Sequence, residues 1–172
     1  MKEEMRAAAA IAAILALFAA GCGHQLPELK ADAKSVTPTG SQPAGTCAGS
    51  EQFIESAWLK CIVVVRGTRR SAITEIANRL RKRGFRMACR ESLGALELEA
   101  VRGRTRINAR ARHGAIIFDE SDGGKPLDVV DAKFAPVGSR LIPTGSVGLY
   151  ISTDKLQPSS VPYLLPHGAC PS

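Results

Sequence analysis

The clearest hydrophobic pattern in the chain is helical. Four apolar residues recur at the three- and four-residue spacing of one helix face: Ile73, Ile76, Ala77 and Leu80. Ser71 can cap the start of this helix, and Gly84 can end it. Glu75 can pair with Arg79 one turn later. We therefore predict an amphipathic helix between Ser71 and Gly84.

Strand patterns lie on both sides of this helix. Residues 61–65, Cys-Ile-Val-Val-Val, form a continuous and mainly β-branched run, which is typical of a buried strand. After the helix, Phe85, Met87 and Cys89 alternate with their neighbours as in a half-buried strand. A strand, a helix and a strand in close succession predict a right-handed crossover between parallel strands.

The alternation then continues as an antiparallel meander with three predicted turns, at residues 91–94, Arg102-Gly103 and His113-Gly114. In this register the apolar residues face one another: Cys89 with Leu96, Met87 with Leu98, Phe85 with Ala100, Leu98 with Ile107, Leu96 with Ala109, Ala111 with Ile116, and Ala109 with Phe118. The opposite face carries two charged rows: Arg86, Glu99 and Arg106, then Glu97, Asn108 and Asp119. Cross-strand pairing should therefore use much of the arginine. Two further strands are predicted at residues 127–134 and 147–152.

The segment before these strands has a different composition. Residues 23–50 are rich in Pro, Gly, Ser and Thr, so they should form a flexible tether. Residues 53–58 show helical spacing after Ser50 and predict a short helix. We expect one small α+β domain at residues 51–172, a βαβ unit followed by an antiparallel meander, with a helix on one sheet face. A disordered N-terminal tether, residues 22–50, should carry this domain.

The first 22 residues have the pattern of an export signal. Residues 7–20 are a 14-residue apolar stretch, shorter than the roughly 20 residues of a membrane-spanning helix. The stretch ends in Leu-Phe-Ala-Ala-Gly-Cys22, which resembles the lipobox of bacterial lipoproteins. The resemblance implies that residues 1–21 are a signal peptide cut before Cys22. It also implies that Cys22 carries fatty acyl chains such as palmitate, which anchor the protein to a membrane.

Two features depart from the lipobox pattern. Ala19 stands where the family usually has Leu, and residues 3 and 4 are acidic. The alternative is an ordinary secretory signal cut near Ala20, with Cys22 a plain thiol or a disulfide partner. A lipoprotein would lie on the non-cytoplasmic side of a membrane. For a cell with two membranes, the sorting rule of the lipoprotein family implies the outer membrane, because Asp at the position after the cysteine would prevent delivery there and this chain has Gly23.

Residues 62–89 resemble the first half of a SPOR domain. The likeness lies in Val-Val-Val-Arg-Gly67, in Ala77-Asn-Arg-Leu and in Arg83-Gly-Phe, and it covers about a sixth of the chain. SPOR domains have a β-α-β-β-α-β fold and bind peptidoglycan glycan strands stripped of peptides. The second strand–helix half of that family has no counterpart in the sequence pattern.

Positive charge is concentrated in the middle of the chain. The chain carries 23 Lys and Arg against 16 Asp and Glu, and residues 66–112 contain 14 basic and 4 acidic residues. An exported protein meets anionic envelope polymers and lipid headgroups, so nucleic acid is not the expected partner. Six arginines form the predicted anion-binding face: Arg86, Arg90, Arg104, Arg106, Arg110 and Arg112. The alternative is a solvated face that pairs with its own carboxylates.

Cysteine content indicates a disulfide frame. With Cys22 lipidated, four cysteines remain in an oxidising compartment: Cys47, Cys61, Cys89 and Cys170. Cys61 should not pair with Cys89, because parallel neighbouring strands would place them at opposite ends of the sheet. We favour Cys47 with Cys61 and Cys89 with Cys170 over Cys47 with Cys89 and Cys61 with Cys170.

Candidate catalytic chemistry is sparse. His24, His113 and His167 have no metal-ligand spacing, and Gly145-Ser146 is predicted to be a plain turn. Residues 119–123 are acidic, without the spacing of a calcium loop, and predict a hairpin end. No metal or cofactor is expected. The sequence favours a non-catalytic envelope-binding module, with a hydrolase of envelope polymers, or an assembly partner of another envelope protein, as alternatives.

Overall fold

The computed structural model describes residues 25–44, 52–55, 58–156 and 168–171. Its two α-helices are α1, Gln25–Val36, and α2, Arg69–Lys82. Its strands are β1 Gln42–Pro43, β2 Gln52–Glu55, β3 Trp58–Arg66, β4 Arg86–Ser92, β5 Ala95–Arg102, β6 Thr105–Arg112, β7 Ala115–Asp119, β8 Lys125–Val130, β9 Arg140–Leu141 and β10 Ser146–Lys155. Short 3-10 helices lie at Glu120–Asp122 and Ala132–Phe134. The predicted α+β class is confirmed.

The strands form two antiparallel sheets. Sheet A has the order β1-β3-β10-β6-β5-β4, and β2 pairs with β3 on the same edge as β1. Sheet B has the order β8-β7-β9. Strand β10 lies in the middle of sheet A and pairs along nearly its whole length with β3 and β6. The predicted strands at residues 127–134 and 147–152 correspond to β8 with the following 3-10 helix and to β10.

Helix α2 covers one face of sheet A. Its apolar stripe, including Ile73, Ile76 and Leu80, is fully buried in the main core against β5, β6 and β10. Thr68 is the N-cap, and Ser71 sits at the third helical position, where the two residues form a capping box. The predicted helix is confirmed, with the cap three residues earlier than expected.

Helix α1 shows that the tether prediction is wrong for residues 25–44. Val36 is fully buried in the main core, and Ala33 is also buried. Arg83 pairs with Asp32, while Arg79 donates to the Thr37 carbonyl at 3.0 Å. The composition averaged over 28 residues did not reveal the narrow apolar stripe of α1. This stripe is enough to dock the helix, because α2 and sheet A provide the other side of the contact.

Glu75 strengthens the contact between α2 and the chain after α1. Its carboxylate accepts from the Thr39 backbone N–H at 3.0 Å and pairs with Arg79 at 2.6 Å, as the sequence predicted for Arg79. Burial acts to raise the pKa of Glu75, but these bonds outweigh burial and lower it below its ordinary value. The carboxylate is therefore ionised at neutral pH and holds the two segments together.

The short helix predicted at residues 53–58 is wrong. Residues 52–55 form β2, and Trp58 begins β3, so the apolar residues belong to two strands of one hairpin. The pairing register shifts between Phe53 and Glu55. Such an irregularity breaks the alternation on which strand prediction depends.

The two strands joined by α2 are parallel, as predicted, but they are not neighbours in the sheet. Strands β3 and β4 run parallel, because four successive antiparallel pairings connect them across sheet A. Three strands, β10, β6 and β5, lie between them. Helix α2 therefore spans the width of the sheet instead of joining adjacent strands.

The β4-β5-β6 meander is confirmed, with each register shifted by two residues. Cys89 faces Leu98 instead of Leu96, and Leu98 faces Ala109 instead of Ile107. The turns are the two-residue Leu93-Gly94 and Gly103-Arg104. A shift of two preserves the face of every side chain, so the apolar face was predicted correctly.

The third predicted hairpin is wrong, because β7 leaves sheet A. At Gly114 the chain comes so close to β8 that a Cβ atom would lie 1.9 Å from the Val130 carbonyl oxygen. Beyond this point β7 pairs with β8 and β9, and Ile116 and Val129 pack on Ile62 in a second core. Strand β10 takes the place beside β6 that β7 was predicted to occupy.

The other predicted hairpin end is confirmed. Residues 120–124 join β7 to β8, and the Asp119 side chain accepts from the Ser121 backbone N–H. Gly145 lies in a turn, and Ser146 is the first residue of β10.

Cys89 and Cys170 form a disulfide with a Cα–Cα distance of 4.8 Å. This agrees with the favoured connectivity and excludes a Cys61–Cys89 bond. The Cys89 N–H also donates to the Gly168 carbonyl at 3.0 Å, so the segment around Cys170 covers the outer edge of β4. Cys61 is disulfide-bonded as well. Cys47 lies outside the described residues, so its bond to Cys61 stays a prediction.

Candidate functional site

Helix α2 covers one face of sheet A. On the opposite face, strands β4, β5 and β6 are covered by neither helix nor sheet B, and we call this surface the open face. Sheet B covers the β3 and β10 part of that face, where Ile62 and Tyr150 belong to the second core. Even-numbered residues of β4 and β6 point away from the main core, because the odd-numbered ones, such as Cys89 and Ala109, are buried in it. Five of the six predicted anion-binding arginines therefore share this open face: Arg86, Arg90, Arg106, Arg110 and Arg112. Arg104 lies in the turn between β5 and β6.

Three of these arginines form ion pairs. Their pairs are Arg90 with Glu97, Arg106 with Asp154, and Arg110 with Asp128. The Arg106 Nη2 lies 2.8 Å from Asp154 Oδ2, and its Nε also donates to Asp154. The hydrogen bonds that Arg106 donates to Asp154 raise the pKa of Arg106, against the effect of burial. Much of the positive charge is thus neutralised within the domain, as cross-strand pairing predicted.

The remaining three have no carboxylate partner among the described residues. Arg112 donates to the Leu93 carbonyl, and Arg104 Nε donates to the Leu156 carbonyl at 2.8 Å. Arg86 is exposed, with no hydrogen bond in the described part of the chain. The charge that remains for an external anion is therefore on Arg86, Arg104 and Arg112.

The predicted charged rows change with the register. Glu99 lies opposite Asn108 instead of Arg106, and Glu97 lies between Arg90 and Arg110. Asp119 belongs to sheet B and joins neither row. Asp154 and Asp128, which the sequence did not connect to this face, supply two of the three ion pairs.

A groove of about 230 Å³ runs across the open face beside sheet B. The side chains that line it combine guanidinium, carboxylate, amide and phenol groups: Arg90, Glu97, Glu99, Asn108, Arg110 and Tyr150. Ala109 and Leu98 also border it. Glu99 and Asn108 make no hydrogen bond among the described residues, so both are available to a ligand.

Tyr150 and Arg110 form the wall of the groove nearest sheet B. The Arg110 guanidinium lies 5.3 Å from the centre of the Tyr150 ring. Burial, together with the nearby Asp128 carboxylate, raises the pKa of Tyr150, so its hydroxyl stays protonated at neutral pH. The Arg110 Nε–H is buried and has no acceptor in the described part of the chain. A buried donor without an acceptor costs about 1–3 kcal/mol of stability.

Sequence reasoning found the arginines and Glu97, Glu99 and Asn108, because strand alternation places them on one face. It missed Tyr150 and Asp128. Tyr150 reaches the groove because β10 lies beside β6. Asp128 reaches Arg110 because β8 lies over β6. Both contacts join residues far apart in the chain, so no local pattern could have revealed them.

The side chains that line the groove are suited to hold a polar ligand. His113 lies outside the groove lining, with Nδ1 3.1 Å from the Ser146 carbonyl oxygen. Among the described residues, no group of three His, Cys, Asp or Glu side chains is placed to hold a metal ion. His24 and His167 lie outside the described residues. Hydrogen-bonding groups of both charges beside an aromatic ring can hold a polar chain rich in oxygen.

Neither helix of the described ranges is long and apolar enough to cross a membrane. No protein-family model matches this chain, and no curated protein or solved structure matches it significantly. The geometry of the open face is therefore the main guide to function.

Proposed function

We propose that this protein is a lipid-anchored lipoprotein of the cell envelope that binds an anionic envelope polymer without catalysis. The binding site is the groove on the open face of sheet A. The observation that carries this proposal is that Glu99 and Asn108 line the groove and make no hydrogen bond among the described residues.

Each group in the groove has a role in binding such a polymer. The guanidinium groups of Arg90 and Arg110 line the groove and can donate to a carboxylate, phosphate or hydroxyl oxygen. Glu99 can accept from hydroxyl or amide donors, and Asn108 can both donate and accept. The Tyr150 ring offers an apolar surface for the face of a sugar. Arg112, which has no carboxylate partner among the described residues, supplies positive charge further along β6.

The cellular location is supported by the cysteines. Cys89 and Cys170 are bonded, and Cys61 is bonded too, as is common in proteins exported to an oxidising compartment. The lipobox-like residues 17–22 supply the anchor at Cys22. The protein would then lie on the non-cytoplasmic side of a membrane, at the outer membrane if the cell has two.

Co-sedimentation with purified anionic envelope polymers tests this function. The chain from residue 22, with Cys22→Ser, should sediment with peptidoglycan sacculi, lipopolysaccharide or teichoic acid. Asn108→Ala should weaken binding about five- to thirtyfold, since it removes one or two hydrogen bonds worth about 1 kcal/mol each. Raising the salt concentration past about 0.15 M should weaken binding further, because the Debye length is then below roughly 8 Å.

Asn78→Ala is the matched control. It makes the same change on the exposed side of α2, where the Asn78 side chain accepts only from Arg81. Asn78→Ala should leave sedimentation unchanged. Equal effects of the two variants, or no binding to any of these polymers, would refute the groove as the site.

A polymer hydrolase is the second candidate, because the groove contains two carboxylates on one strand. Glu97 and Glu99 lie two residues apart on β5, so their Cα atoms are about 6.6 Å apart. Glycosidases use two carboxylates across the bond they cleave. Glu97 is held in an ion pair with Arg90, so Glu99 would act as the acid. Release of reducing sugars from sacculi, abolished by Glu99→Gln, would establish this activity in place of simple binding.

A further inference from the structure

Five basic residues lie at one end of the domain without a carboxylate partner among the described residues. We call them the basic end: Arg81, Lys82, Arg86, Arg102 and Arg104. All five are exposed. Three of them make hydrogen bonds, and only to uncharged groups: Asn78 Oδ1 and the carbonyls of Arg83 and Leu156. They therefore keep their full positive charge.

A continuous set of contacts places the basic end beside the first turn of α1. Lys155, at the end of β10, pairs with Glu28 at 3.0 Å and donates to Thr105 at 2.8 Å. Arg104 precedes Thr105 and bonds Leu156, the residue after Lys155.

The contacts continue on the other side of this end. Arg102 ends β5 and donates to the Arg83 carbonyl at 2.9 Å. Arg83 follows α2 and pairs with Asp32 of α1, while Arg86 begins β4. The end of α2, the β5–β6 turn and the end of β10 thus surround α1 on the same side of the domain.

The carboxylates at this end are already used. Glu28, Asp32 and Asp154 pair with Lys155, Arg83 and Arg106, in that order. These three pairs cancel, whereas the five residues of the basic end carry positive charge with no carboxylate partner among the described residues.

Covalent geometry places the basic end near the anchoring cysteine. Helix α1 begins at Gln25, three residues after Cys22. Three residues span at most about 11 Å whatever their conformation. If Cys22 is lipidated, as the proposed function requires, the domain is held against the membrane and not on a long tether.

We propose that the basic end docks on the anionic headgroups of the membrane that holds the lipid anchor. A lipid chain and a cluster of basic residues reinforce each other in membrane binding, and each basic residue close to an anionic surface strengthens binding about fivefold. Docking fixes the orientation of the domain, so the β5–β6 turn faces the membrane. The opposite end, with Gly67, Gly94 and Gly145, faces away from it.

Vesicle binding by the chain without lipid tests this docking. The chain from residue 22 with Cys22→Ser should co-sediment with vesicles of phosphatidylglycerol and phosphatidylethanolamine, but not with phosphatidylcholine vesicles. Lys82→Gln, Arg86→Gln and Arg104→Gln together should reduce the partition coefficient about a hundredfold, at roughly fivefold for each residue. Circular dichroism should show the fold unchanged, because these exposed side chains make no buried contact.

The control has the same loss of charge elsewhere on the domain. Arg66→Gln, Arg70→Gln and Arg140→Gln together remove three exposed cations away from the basic end and should reduce partitioning only slightly. Equal losses in both triple variants, or equal binding to anionic and neutral vesicles, would overturn the proposal. This measurement needs no lipid on Cys22, so a negative result would count against docking and not against the lipid anchor. Fatty-acid labelling in cells tests the anchor by itself.

Discussion

At the scale of single residues, the backbone turn at Gly114 decides where sheet A stops. Gly114 has φ of +136°, and a Cβ atom there would lie 1.9 Å from the Val130 carbonyl oxygen and 3.0 Å from the Ala132 nitrogen. These are backbone atoms and cannot rotate away. Only glycine therefore lets β7 turn out of sheet A and pack against β8.

Replacing this glycine should be unusually costly. We expect Gly114→Ala to destabilise the fold by about 3 kcal/mol or more, because strand β8 must move as well as the residue itself. Gly94→Ala is the control: Gly94 also has a positive φ, but its Cβ would meet nothing within 4 Å. That variant should cost only about 1–2 kcal/mol of local strain. Urea unfolding of both variants measures the difference, and equal losses would contradict this account of Gly114.

Other residue-scale features followed from the sequence. The Glu75–Arg79 pair forms as its spacing predicted, at 2.6 Å. Three arginines of the open face pair with carboxylates, as the alternation predicted, but two of their partners are Asp154 and Asp128. Strand alternation shows which face of the sheet a charged side chain lies on. The carboxylate that pairs with it depends on which strand lies alongside.

At the scale of elements, the disulfide holds the C-terminal segment on the edge of β4. Cys89 and Cys170 are separated by 81 residues, and the backbone bond between Cys89 and Gly168 lies beside them. An exposed edge strand invites pairing with other chains. The bonded segment covers part of this edge.

Removing the disulfide should therefore affect stability and edge protection together. Cys89→Ala with Cys170→Ala should lower the free energy of unfolding by about 2–4 kcal/mol, since the bond closes a long loop of the unfolded chain. Thermal unfolding measures this loss, and hydrogen exchange should show faster exchange of the backbone N–H at position 89, which bonds the Gly168 carbonyl. Non-reducing peptide mapping of the parent should give a Cys89–Cys170 peptide and a Cys47–Cys61 peptide. A Cys47–Cys89 or a Cys61–Cys170 peptide would contradict the arrangement.

The registers of the β4-β5-β6 hairpins also belong to this scale. The sequence predicted a four-residue loop at residues 91–94, but the turn is Leu93-Gly94 with φ of 47° and 75°. Two successive positive φ values define the tight turn that best matches strand twist. Leucine is rare in that position, so composition favoured a longer loop. Because the side-chain period is two, the resulting shift of two residues left the apolar face unchanged.

At the scale of the whole molecule, the proposed anchor is tested at Cys22. Cys22→Ser should abolish labelling by fatty acids and move the protein from the membrane fraction to the soluble fraction, because two or three acyl chains supply most of the binding free energy. Fractionation is done at high salt, which screens the attraction between the basic end and anionic headgroups, so that membrane binding by the basic end does not hide the loss of the lipid anchor. If the variant still fractionated with membranes at high salt as fully as the parent, the lipid anchor would be wrong.

The sequence by itself determined the local features: helix α2, the strand character of β3 to β6 and the face on which each of their side chains lies. These depend on periodicity within a few residues, which is visible in the chain. It also indicated the Cys89–Cys170 pairing and the crowding of arginines on one face.

Tertiary structure decided which elements are neighbours. Strand β10 lies between β3 and β6, although more than 30 residues separate it from either. Helix α1 joins the domain through Val36 and the bonds of Arg79 and Arg83, which its own composition does not reveal. Strand pairing and helix docking bury surface between distant segments, and any two strands with the same alternation are compatible partners. The groove beside Tyr150 and the basic end beside α1 exist only because of that choice, so neither could be read from the order of residues alone.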